Sequence, residues 1–249
     1  MNAIAILLDM SRGIGVFDPI QATIPEWAAI VVALVTQLGD IWFLAVLLGV
    51  LYWRRPCERG EVLVVAGLGL AGFALITTLK YTFALPRPAH ALVELEMLSP
   101  TVRPLYEFTG TASGYGFPSG HALVTTVVYG SLAARLSLWT LRRRLLAAGT
   151  LVTVVCLSRV ALGVHFVVDV VAGIGVGLAF LLAVMRLPAG YPDDEQTVVF
   201  AVAAALSVAA VIASSATLDS ILVLFGSLGA VVGWRLVGRE RLAAVPESR

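Results

Sequence analysis

The stretch from Val62 to Pro88 reads VLVVAGLGLAGFALITTLKYTFALPRP. Its first eighteen residues, Val62 to Leu79, carry no charge. A helix needs about 20 mainly apolar residues to cross the hydrocarbon core of a bilayer, so a spanning helix is expected over 62–85. Working outward, further runs of this kind cover 27–53, 119–139, 145–164, 167–187, 197–216 and 221–237. Asp219, with Ser214, Ser215 and Ser220, reads as the turn between the last two. The expected fold is an all-α, polytopic transmembrane helix bundle of six or seven spans, with residues 1–249 forming a single membrane domain.

Composition agrees. Of 249 residues, 59% are hydrophobic and 13% charged, against about 25% charged in soluble domains. Mean hydropathy is +0.93. These values exclude a disordered chain, a collagen-like fibre and a nucleic-acid-binding protein. A net charge of +1 suggests no polyanionic partner, and the two cysteines, Cys57 and Cys156, are too few for a disulfide scaffold.

The first 25 residues differ. Met1 to Met10 is apolar but too short to span, and it lacks the basic start and cleavage site of a signal peptide. Ser11, Arg12, Gly13, Gly15 and Pro19 then interrupt it, so residues 1–25 are expected to form an interfacial segment. Alternating crossings gather Arg54, Arg55, Arg59, Arg135, Arg142, Arg143, Arg144, Arg186, Arg235, Arg239 and Arg241 on one side. By the positive-inside rule that side is cytoplasmic. The N-terminal segment and the 88–118 loop are then expected on the extracytoplasmic side. Trp27, Trp53, Trp139 and Trp234 fall at helix ends, as an interfacial belt requires. Gly67, Gly69, Gly72, Gly173, Gly177, Gly229 and Gly233 are expected to let helices approach closely.

Charges near the bilayer interior are costly and usually have a partner or a task. Three clusters stand out. Lys80 and Arg87-Pro88 end the second span; Phe117-Pro118-Ser119-Gly120-His121 opens the third. Ser158, Arg159, His165 and Asp169 join the fourth to the fifth. Pro then Ser signals a helix start, whose free N–H groups suit a phosphate. His165 and Asp169, four apart, share one helix face. Taken singly, Lys80 could simply snorkel, the Pro-Ser pair could be an ordinary cap, and His165 with Asp169 a structural hydrogen bond. Crossing parity brings all three clusters to one side of the membrane, and that weakens the single readings.

Together the clusters resemble the type 2 phosphatidic acid phosphatase superfamily, membrane lipid phosphatases whose active site is related to that of vanadium haloperoxidases. That family's pattern is Lys-x6-Arg-Pro, then Pro-Ser-Gly-His, then Ser-Arg-x5-His-x3-Asp. Lys80, Arg87, Pro88, Pro118, Ser119, Gly120, His121, Ser158, Arg159, His165 and Asp169 fill every position. The resemblance covers about residues 27–187, and implies a phosphatase core over 26–187 followed by two further transmembrane helices in 188–249.

The resemblance implies a phosphate cradle of Lys80, Arg87, Ser119, Gly120 and Arg159. Cations neutralise the oxygens and hold the group in line, and the arginine fork binds two oxygens at once. Candidate catalytic residues are His165 as nucleophile, His121 as general acid and then base, and Asp169 to fix the His165 tautomer. The cradle replaces a metal, so neither metal nor cofactor is expected.

Further candidates for the surroundings or mouth of the site are Asp40, Ser158, Tyr115 and Phe117. Asp40 reads as lying mid-way along the first span, bonded either to a neighbouring helix or to a cation of the site. His90 and Glu107 lie in the 88–118 loop, which is expected to cover the site mouth; His90 itself is expected to face solvent or headgroups.

The leading expectation is a metal-independent lipid phosphatase of the cell membrane, acting on the outer leaflet. An isoprenyl diphosphate such as dolichyl or undecaprenyl diphosphate is the first choice of substrate. Phosphatidylglycerol phosphate and phosphatidic acid follow. The alternatives are a lipid phosphotransferase and a non-enzymatic lipid-binding or transport protein; a haloperoxidase is disfavoured by the spans. The sequence leaves the oligomeric state open.

Overall fold

A computed structural model describes residues 12–13, 17–89, 91–186 and 194–238. The expectations for His90 and for most of the N-terminal segment lie outside these residues. Ten α-helices are described: α1 Phe17–Gln21, α2 Glu26–Thr36, α3 Ile41–Arg54, α4 Arg59–Phe83, α5 Arg103–Gly110, α6 Gly120–Arg135, α7 Leu141–Ala161, α8 Val167–Val184, α9 Glu195–Ala213 and α10 Leu218–Gly233. Among the described residues there is no strand.

The stretch quoted at the outset is α4. It ends at Phe83, where Ala84 takes a left-handed φ of 50° and donates its N–H to Lys80 O at 2.8 Å. Pro86 and Pro88 prevent the helix from resuming. One side of α4 packs on α6 and the other on α9 and α10. Gly67 makes the second contact close: a Cβ there would stand 2.7 Å from Val199 Cγ1.

α6 is the centre of the bundle, packed between α4, α7 and α8. It is buried on nearly all sides, from Ala122 to Tyr129 without interruption. Its threonine and serine hydroxyls bond back within the helix: Thr126 Oγ1 donates to Ala122 O at 2.7 Å and Ser131 Oγ to Val127 O at 2.5 Å. Many outward-facing side chains elsewhere are apolar, among them Val46, Leu146, Leu157, Leu182, Ile212 and Phe225. Such a surface suits lipid.

Among the described residues, five helical segments are long and apolar enough to cross a membrane, and six if a bent pair counts as one span. The bent pair corrects the expected first span. Residues 27–53 do not form one helix: α2 and α3 meet at 55° through a 3₁₀ turn, Gln37–Gly39. The turn has polar partners of its own. Gln37 Oε1 accepts from Trp42 Nε1 at 2.9 Å, and Gln37 Nε2 donates to Thr109 O at 3.4 Å. Asp40 therefore precedes α3, in extended conformation, instead of lying mid-helix.

The expected third span is also shorter. α6 has 16 residues, or ~24 Å at 1.5 Å per residue, and stops at Arg135. Beyond it, Ser137 N and Oγ both donate to Glu58 Oε1, drawing the chain toward the start of α4. Arg135 itself pairs with Glu61 and Glu195. Three of the four belt tryptophans, Trp27, Trp53 and Trp139, are exposed, but Trp234 is buried. Among the described residues, a Cβ on Gly229 or Gly233 would meet nothing within 4 Å, so no close helix approach is seen at either.

Candidate active site

Four helix ends converge where the three sequence clusters meet. The C-terminal end of α4 supplies Lys80, and the extended segment after it supplies Arg87. The N-terminal end of α6 supplies Gly120 and His121. α7 ends with Arg159, the following turn carries His165, and α8 opens with Asp169. Ser119 N donates to Asp169 O at 2.9 Å, which ties the starts of α6 and α8 together. The loop between α4 and α6 closes over them: Gly116 N donates to Leu85 O at 2.8 Å, and Arg87 Nε to Ser113 O at 3.0 Å.

A cavity of about 420 Å³ lies between these ends. Lys80, Arg87, Gly120, His121, Arg159 and His165 line it, with Asp40 and Tyr115. Arg159 is almost wholly buried and donates from Nη1 to Thr36 Oγ1 at 2.9 Å. Arg87 Nη1 reaches Val164 O and His165 Nε2, both at 3.0 Å.

The Arg87 contact fixes the state of His165. Guanidinium nitrogens only donate, so His165 Nε2 accepts and carries a lone pair. In the neutral ring the proton then sits on Nδ1, which is 3.5 Å from Asp169 Oδ2. Burial, reinforced by the positive charges of Arg87, Arg159 and Lys80, holds the His165 imidazole well below its ordinary range. It is therefore neutral at physiological pH. Burial also lowers the Arg87 guanidinium to about 10, partly offset by Asp169, and it stays charged at neutral pH.

Asp169 stands behind His165, fully buried, with Oδ2 accepting from Phe166 N at 3.0 Å. Across the cavity, His121 Nε2 lies 3.8 Å from Asp40 Oδ2. Three positive side chains thus face two imidazoles, each with a carboxylate nearby. Among the described residues, no group of three or more His, Cys, Asp or Glu side chains is placed to hold a metal ion.

Other expected residues sit apart from the cavity. Ser119 is fully buried and its Oγ accepts from Ala122 N at 3.5 Å, as the cap of α6. Ser158 Oγ donates back to Val155 O at 2.6 Å. Phe117 meets Phe83 edge-on at 5.2 Å, whereas Tyr115, at the cavity, meets Tyr81 at 5.3 Å. Glu107 is exposed on α5. The loop residues Thr111 to Tyr115 do form one wall, as a cover over the site requires.

Two charged residues at the site were not expected there. Asp219, read from the sequence as a turn residue, reaches the cavity wall from the first turn of α10. Arg12 Nη1 lies 3.1 Å from Asp169 Oδ1. The available signal for Arg12 was its place among the few arginines on the side opposite the arginine-rich one.

Residues 60–191 match the family model of the PAP2 superfamily. The chain belongs to the PAP2 superfamily. The matched region contains every residue of the three clusters. Among curated PAP2 relatives, the lipid A 4'-phosphatase of Porphyromonas gingivalis is 28% identical over 140 residues, 51% of this chain and 52% of that protein. Phosphatidylglycerophosphatase B of Bacillus subtilis is 33% identical over 96 residues, 36% of this chain and 45% of that protein. The chain thus spans about half the length of these relatives. A solved transmembrane PAP2-type phosphatidylglycerolphosphate phosphatase from Bacillus subtilis shares the fold, with a TM-score of 0.54 and 23% identity over 77% of this chain and 89% of that one. With its spanning helices, this PAP2 protein is an integral membrane protein.

Proposed function

We propose that this protein is a membrane lipid phosphatase that works through a phosphohistidine on His165, without a metal. The observation that carries the reading is the His165 Nε2 lone pair, held among Lys80, Arg87 and Arg159 with Asp169 behind the ring. A bound phosphate would draw Arg87 off Nε2 and free the lone pair for attack. The Nε2–P bond forms as the P–O bond to the lipid breaks, and His121 gives its proton to the leaving oxygen. Asp169 holds the Nδ1 proton and stabilises the ring cation. His121 then takes a proton from water, the new oxygen attacks phosphorus, and the N–P bond breaks to release phosphate.

A lipid substrate is supported by a second feature. An apolar groove of about 370 Å³ between α3 and α4 shares Ile41, Phe73 and Val124 with the cavity wall. A headgroup at His165 could leave its tail in that groove. The curated relatives act on lipid A and phosphatidylglycerophosphate by their names. Lipid A thus joins the isoprenyl diphosphates, still the first choice, phosphatidylglycerol phosphate and phosphatidic acid as candidate substrates. The arginine distribution supports a site on the extracytoplasmic side.

The test is phosphate release by purified protein in detergent with excess chelator. Isoprenyl diphosphate, phosphatidylglycerol phosphate, lipid A and phosphatidic acid would be run beside His165→Ala. Release that survives chelator and vanishes in the variant is expected. Full activity in His165→Ala would overturn the mechanism. Transfer of phosphate to an acceptor, with little free phosphate, would make the protein a phosphotransferase.

A further inference from the structure

We propose that Arg12 is a positioning residue for the His165–Asp169 pair, its guanidinium holding Asp169 Oδ1 so that Oδ2 stays turned toward His165. The inference rests on reading His165 as the nucleophile. A buried carboxylate needs partners for both oxygens. Oδ2 accepts from Phe166 N at 3.0 Å and faces His165 Nδ1 at 3.5 Å. Oδ1 is held by Arg12 Nη1 at 3.1 Å.

The same guanidinium does two more things. Its Nη2 donates to Pro86 O at 2.6 Å, one residue before Arg87. Its central carbon lies 4.8 Å from the centre of the Phe166 ring, one residue after His165. Arg12 therefore ties together the carboxylate, the segment that carries Arg87 and the turn that carries His165. Without that charge, the buried Asp169 would face only neutral donors directly. It could then rotate away from Nδ1 or take the proton itself, and either change weakens its support of the His165 cation.

Arg12 does not line the cavity, and that separates it from Lys80, Arg87 and Arg159. A cation that binds phosphate sets KM as well as kcat. One that acts only through Asp169 changes kcat and leaves KM alone.

The experiment uses the full chain in detergent and phosphate release from isoprenyl diphosphate, phosphatidylglycerol phosphate, lipid A or phosphatidic acid, whichever the wild type turns over. Arg12→Met should lower kcat by about 10- to 100-fold, the scale of a small misplacement of a reacting group, with KM unchanged. Arg12→Lys restores the charge without the fork and should recover part of the loss. Added to Asp169→Asn, Arg12→Met should cause no further loss, because the two residues act as one unit. An unchanged kcat, a rise in KM with kcat retained, or an equal loss in the Asp169→Asn background would overturn the proposal. If Arg12→Met does not fold, Arg12→Lys in the two backgrounds makes the same comparison. No turnover by the wild type of any lipid would instead overturn the phosphatase reading.

Discussion

Asp40 Oδ2, at the bend that divides the first span, stands 3.8 Å from His121 Nε2 on α6. The bend makes this proximity possible. Within a continuous helix Asp40 would face lipid or a neighbouring helix; at the start of α3 it lies in the wall of the cavity. A carboxylate there attracts an imidazolium more than a neutral ring, which is the form a general acid requires. Asp40→Asn should therefore slow release of a lipid alkoxide by about 10-fold, short of the roughly 10²–10⁴-fold supplied by a whole acid–base group. A phosphate ester with an acidic phenol as leaving group needs little protonation and should lose much less. Equal losses with both substrates would remove Asp40 from this role.

The two histidines should differ when each is replaced. His165→Ala removes the atom that bonds to phosphorus and should leave essentially no activity. His121→Ala removes a proton donor and should retain a trace, given the roughly 10²–10⁴-fold scale of acid–base catalysis. It should also slow the second step, so an acid-labile, base-stable phosphoenzyme should accumulate in His121→Ala and be absent from His165→Ala. Equal residual rates in the two variants would contradict the division.

His165 also links stability to pH. Its folded-state pKa lies well below the ordinary value of 6.5 because of burial and three nearby cations. Below that value the unfolded chain takes up a proton that the folded chain refuses, so stability falls with falling pH; above it the contribution is present in full. Between about pH 7.5 and about pH 5.5, the melting midpoint of wild type in detergent should drop further than that of His165→Gln. Parallel drops would show that His165 does not titrate in this way.

The sequence made the site legible because its residues sit at helix ends with short fixed spacings. Lys80 and Arg87 flank one helix stop, Ser119 and His121 one helix start, and Arg159 to Asp169 one interhelical turn. Asp40 was conspicuous as a charge in an apolar run, but its bend was not, since the apolar run resumes at Ile41 after a short polar break and no proline marks it. The early end of α6 depends on Ser137 meeting Glu58, 79 residues away, and the Arg12 contact spans 157 residues. Neither pairing has a local signature. Trp234 shows a related limit: its position at a helix end indicates depth in the membrane but not which face is buried.

The junction of α6 and α8 offers a last test, because it fixes where both histidines start from. Gly173 on α8 lies against the cap of α6, and a Cβ there would stand 2.6 Å from Ser119 O and 2.9 Å from Ala122 Cβ. Backbone cannot move aside as a flexible side chain does, so Gly173→Ala must push the helices apart. It should destabilise the protein by about 1–3 kcal/mol, the usual range for overpacking, as measured by denaturant unfolding in detergent. Gly175, two residues on, has nothing within 4 Å of such a Cβ. Gly175→Ala should be neutral or stabilising by up to about 1 kcal/mol through helix propensity. Activity should separate the two variants further. Displacing the start of α6 moves His121 relative to His165, so Gly173→Ala should lose kcat even at temperatures where it stays folded, while Gly175→Ala keeps it. If Gly173→Ala proved as stable and active as Gly175→Ala, close packing at this junction would not be what sets the distance between the histidines.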